Sequence, residues 1–107
     1  MENLENIAFT IILHAGESKN YSFQAMQAAR ENKMADAEDY LKKATNELKE
    51  AHQAQTDLLV DEANGNSVKI NVIFVHAQDH LAMAIFAKEM ALEYIDGFKF
   101  IHEKLGE

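Results

Sequence analysis

No proline interrupts the 107 residues, and glycine occurs only at positions 16, 65, 97 and 106. Proline removes a backbone donor and glycine weakens a helix interior, so a chain nearly free of both can carry its hydrogen-bond ladder through long helices. Two polar interruptions divide it. Glu31-Asn32-Lys33 offers Asn32 for the left-handed conformation that ends a helix, and Asn64-Gly65-Asn66-Ser67 is a turn cluster.

Three segments result. In the middle one Ala37, Leu41, Ala44, Leu48, Ala51, Gln55, Leu58 and Glu62 recur in steps of four and three, a seam resembling that of a coiled coil. Its alanines allow close helix approach. Gln55 fits both a hydrogen-bonded interior residue and a site residue. The first segment carries Leu4, Ala8, Ile11, Ala15, Ser18, Ser22, Ala25 and Ala29 at the same spacing. The third begins with the β-branched run Val68 to Val75, which has strand propensity but no partner strand, and continues into the helical pattern LAMAIFAKEMALEYI. The expectation is an all-α, antiparallel three-helix bundle: one domain over residues 1–107, with helices at about 4–31, 34–62 and 68–104.

Projected at about 100° per residue, the third helix has two apolar sides. Phe74, Leu81, Ile85 and Leu92 form one stripe; Val72, His76, Asp79, Met83, Phe86 and Met90 form another, nearly opposite. A three-helix bundle covers one side of a helix, so the second stripe calls for an oligomer. Copies meeting on that stripe around a symmetry axis would bring their Asp79 carboxylates together, where they need a cation, a proton or partners.

Charge and composition narrow the chemistry. Ten Lys and Arg against eighteen Asp and Glu leave a net charge of −8, which repels phosphate backbones and anionic lipid. Nucleic acid is not an expected partner. With no cysteine there is no disulfide, thiolate metal site or thiol nucleophile. Glu2 and Glu5 stand where a signal peptide would be basic, and no apolar run is long enough to span a bilayer. A soluble, intracellular protein is expected.

The segment VHAQDHLAM places His76, Asp79 and His80 on one flank of the third helix. Three readings fit that spacing: polar residues edging an apolar stripe, metal chelation from one helix, and nucleophilic attack on phosphorus by a neutral imidazole. The metalloprotease pattern HExxH is excluded, because Ala77 stands where its Glu would be. His14, His52 and His102 each stand alone in their segments, and His102, near a fraying end, is expected to be solvated.

Four stretches together, IILHAGES at 11–18, AHQAQTDLL at 51–59, EANG at 62–65 and VHAQDHLAMA at 75–84, resemble the enzyme IIA component of the lactose/cellobiose (chitobiose) class of the phosphoenolpyruvate-dependent sugar phosphotransferase system. The resemblance runs over nearly the whole chain. It implies a homotrimer with a phosphorylated histidine, here His76, in a cleft between subunits, and one Mg²⁺ per trimer shared by the three copies of Asp79. It further implies a cytoplasmic relay in which HPr donates the phosphoryl group, a IIB partner accepts it and a membrane IIC component delivers it to incoming sugar. His76 is expected to attack through its ε nitrogen while a hydrogen bond on the other ring nitrogen fixes the tautomer. Gln78 and His80 are candidates for supporting the phosphoryl group, and Gly16 for close approach of a partner or tight helix packing. Two departures from the family pattern, Ala82-Met83 after HAQDHL and Lys33 at the start of the second helix, leave the chemistry intact. The alternative reading is a helical oligomer that binds metal through Asp79, His76 and His80 in a structural or partner-recruiting role.

Overall fold

The structure, a computed structural model, describes residues 4–66 and 72–106. They form three helices, α1 (Leu4–Arg30), α2 (Met34–Ala63) and α3 (Val72–Leu105), in a rod of 59 × 21 × 16 Å. Among the described residues there is no strand. The β-branched Val72, Ile73 and Val75 are helical: their strand preference is weak and context-dependent, and Ile73 packs against the core. The expected start of the third helix at residue 68 lies outside the described residues.

Both helix ends follow from their punctuating residues. Asn32 takes φ 61°, its N–H donates to the Ala29 carbonyl and that of Lys33 donates to Ala28, the paired bonds of a Schellman cap. Gly65, at φ 98°, closes α2 in the same way: Gly65 N–H donates to Glu62 and Asn66 N–H to Asp61. Lys33 gives α2 no side-chain cap.

α1 lies against both other helices along its length, and α2 and α3 meet each other less. The seam expected on α1 is buried from Ala8 through Ala29, as are Ala37, Ala44, Leu48, Ala51 and Leu58 of α2. One core cluster joins Ala8, Ile11 and Ala15 to Leu48 and Ala51 and to Ala77, Leu81 and Ala84; a second, toward the other end, centres on Ala25, Ala29, Ala37 and Ile95. Ser18 Oγ donates to the Ala44 carbonyl at 2.7 Å, so a polar side chain sits inside the α1–α2 seam without an unmet donor.

α3 departs from the expected pattern in two places. Leu81 is buried and Phe74 and Ile85 partly so, but Leu92 is 44% exposed. The line that packs inward is Ala77, Leu81, Ala84, Ala91 and Ile95, ending at His102. Alanine lets the helix axes approach, and once they do, bulky side chains beside the seam are displaced to its edge. His102 is the second correction. It is buried rather than solvated, with Nε2 3.0 Å from the Ala29 carbonyl, because α1 and α3 run parallel, with α2 antiparallel to both, and the end of α3 lies beside the end of α1.

Candidate functional site

The buried Ala77 and Leu81 hold the first turns of α3 against the core, and helix geometry distributes their neighbours. His76 and Asp79 are exposed; Gln78 and His80 are half-buried. His76 and Asp79 line one shallow hollow with Val72 and Val75. The rings of His76 and His80 meet edge to face with centroids 4.5 Å apart, and their Nε2 atoms are 3.1 Å apart. One Nε2 therefore carries a hydrogen and the other a lone pair. If the lone pair is on His76, its Nε2 is the nucleophilic nitrogen and Nδ1 carries the proton. The hydrogen bond between the rings is thus made at Nε2 itself, and it fits either ring as donor.

Gln78 is on a different flank. It lies about 160° from both His76 and His80 around the helix, and its Oε1 accepts a 2.6 Å hydrogen bond from Gln55 Nε2 on α2. Within one chain the four site residues thus divide into a histidine pair with neighbouring Asp79, and Gln78, which faces α2 and pairs with Gln55 there. Gln55 is the site-region residue that the sequence left open between two roles; its signal was the polar break in the α2 seam. No sequence signal joined His14 to Glu47, whose Nδ1 and Oε2 are 2.6 Å apart across α1 and α2. His52 is exposed. Among the described residues no three His, Asp or Glu side chains gather into a metal-ligating group, so His76, Asp79 and His80 do not make a three-ligand chelate within one chain.

The expected second stripe of α3 faces outward. Val72, Met83 and Phe86 are 84%, 53% and 63% exposed. Beside it an apolar groove runs between α1 and α3, lined by Phe23 and Met26 on one side and Met83, Phe86 and Met90 on the other. No helix among the described residues is long and apolar enough to cross a membrane.

A three-helix protein with an exposed histidine pair on its last helix is the class defined so far, and comparison with known proteins identifies it further. The family described as "PTS system, Lactose/Cellobiose specific IIA subunit" matches residues 6–99. The chain is 39% identical to the lichenan-specific phosphotransferase enzyme IIA component of Bacillus subtilis, over 98% of this chain and 96% of that protein. It is 32% identical to the N,N'-diacetylchitobiose-specific EIIA component of Escherichia coli, over 97% and 86%. Among solved structures, the cellobiose-specific enzyme IIA of Bacillus anthracis superposes with a TM-score of 0.91 at 40% identity, covering 97% of this chain and 96% of that one. The Escherichia coli IIA(chitobiose) in its solution complex with HPr gives 0.78 at 30% identity, with both chains fully covered. The chain belongs to the lactose/cellobiose-specific IIA family of the sugar phosphotransferase system, and is a phosphotransferase component of that system.

Proposed function

We propose that His76 is the phosphoryl carrier of this IIA component, and that the protein works in the cytoplasm as a homotrimer between HPr and a IIB partner. The observation that carries the reading is the His76–His80 contact in a chain of this family: an exposed imidazole whose Nε2 is 3.1 Å from a second imidazole nitrogen. In the resting protein His80 donates Nε2–H to the Nε2 lone pair of His76. When phospho-HPr docks, that lone pair attacks phosphorus, the P–N bond to the donor breaks and its electrons return to the donor imidazole. The freed His80 N–H then turns to a phosphoryl oxygen, so the same proton first sets the nucleophile's tautomer and afterwards stabilises the product. Transfer to IIB reverses these steps, and the membrane IIC component passes the group to a β-linked disaccharide of the lactose, cellobiose or chitobiose class. A chain of net charge −8 suits electrostatic steering toward a basic donor face.

The trimer is supported by the outward stripe, whose exposed Met83 and Phe86 need a cover. Around a threefold axis facing Asp79, the flank of one copy that bears His76 meets the flank of the next that bears Val75, Gln78 and Ala82. Gln78, turned away from its own His76, thereby supports the neighbour's phosphoryl group, and its bond to Gln55 holds it in place. The donor set also fits Mg²⁺: on the outward stripe each chain offers the exposed carboxylate of Asp79, a hard oxygen ligand, and three copies offer three. When bound, the ion neutralises the gathered charge; Asp79 holds it and takes no part in attack.

The test is intact-mass spectrometry at neutral to basic pH after incubation with phosphoenolpyruvate, enzyme I and HPr. The wild type gains one phosphate and His76→Ala gains none while keeping its helical circular dichroism. A phosphate on His76→Ala would move the carrier role to another histidine.

A further inference from the structure

The contact between His76 and His80 has the dimensions of a chelate. Zinc–imidazole bonds are about 2.0–2.1 Å, so two imidazole nitrogens on one tetrahedral ion stand about 3.3 Å apart. The Nε2 atoms are 3.1 Å apart, one helical turn from each other on the same flank. The separation is within a few tenths of an ångström of that value, and turning the two rings about their side-chain bonds, so that both lone pairs aim at one ion instead of at each other, completes the chelate.

We propose that the Nε2 pair of His76 and His80 binds Zn²⁺ or a similar late first-row divalent ion, and that this ion and the phosphoryl group exclude each other. The site half stands on geometry alone; the exclusion half rests on the reading of His76 as the phosphoryl acceptor. Binding requires a lone pair on both Nε2 atoms, so His80 moves its proton from Nε2 to Nδ1 by exchange with water, and both rings stay neutral. The hydrogen bond between the rings is lost and two N–Zn bonds form. No third His, Asp or Glu joins the pair among the described residues, and His76 is exposed, so water completes the coordination and the ion can leave. The single lone pair of His76 Nε2 bonds either the ion or phosphorus.

This site differs from the carboxylate one. Asp79 lies about 100° around the helix from His80, and Mg²⁺ prefers oxygen ligands to imidazole.

Isothermal titration of the full chain with Zn²⁺, in wild type, His76→Ala, His80→Ala and Asp79→Leu, tests the site. The expected result is one Zn²⁺ per wild-type chain, retained in Asp79→Leu and in excess Mg²⁺. Each His variant should weaken binding at least about tenfold, since loss of even an outer-shell partner of a metal ligand costs about 10–100-fold. Circular dichroism confirms that each variant is folded. No binding by the wild type, unchanged binding in His80→Ala, or one ion per three chains lost in Asp79→Leu would each overturn the site. For exclusion, the protein is phosphorylated, separated from the relay enzymes and titrated again; Zn²⁺ binding should disappear, and undiminished binding would overturn that half. A chain that takes no phosphate on His76 defeats the carrier reading and the exclusion with it, while the titration still decides the metal site.

Discussion

The two long sides of α3 differ in residue size and in exposure. Its inward side is Ala77, Ala84 and Ala91 with Leu81 and Ile95, residues mostly too small to contribute much apolar area but able to bring α1 close. Its outward side carries Val72, Met83 and Phe86, larger and well exposed, with His76 and Asp79 among them. Smallness marks the face that meets the chain itself, and bulk marks the face the chain leaves uncovered, the one the proposed trimer would bury. A core of alanines stabilises through close packing over many contacts, so it tolerates added volume poorly. The outward stripe is exposed within the chain, so on the proposed function changes there should leave the fold and alter assembly or chemistry.

Substitutions on the two sides test the contrast. On the outward side His76→Ala should give the largest effect, complete loss of phosphate uptake by intact mass, with unchanged helicity. Phe86→Glu on the same side should convert the proposed trimer to monomers in sedimentation velocity, since it places a charge in the stripe that the trimer would cover; a trimer surviving this change would put the interface elsewhere. On the inward side Ala84→Leu should destabilise by about 1–3 kcal/mol in urea titration, the usual cost of overfilling a packed seam. Leu92→Ala, at a half-exposed position, should cost at most about 1 kcal/mol, and a larger loss would mean that Leu92 packs in the assembly. Asp79→Leu should leave the trimer intact with an equal or higher Tm, because the gathered charge and the need for a cation both vanish. A monomeric Asp79→Leu would make the ion, and not the apolar stripe, the element that holds the copies together.

Much of this was legible in the chain. Helix ends were marked by Asn32 and Gly65, whose left-handed conformations are properties of single residues and their immediate neighbours. The α1 and α2 seams could be read because one helix face repeats every three or four residues whatever it packs against. His76 stood out by spacing and by resemblance, and neither depends on which residue touches it.

Other features depended on how the helices came together. Leu92 was expected inside because it is large and apolar, yet the seam selected alanines, a choice set by the distance between helix axes. His102 is expected in water because it is near the chain's end, and it is buried because its parallel neighbour α1 ends beside it. Gln78 follows His76 by two residues, but a helix turns about 200° in that interval, and only the placement of α2 gave it Gln55 as a partner. Periodicity and turn chemistry are written in short stretches of sequence. The partner of a side chain 23 or 73 residues away follows from axis separation and register, which arise when all three helices settle against one another.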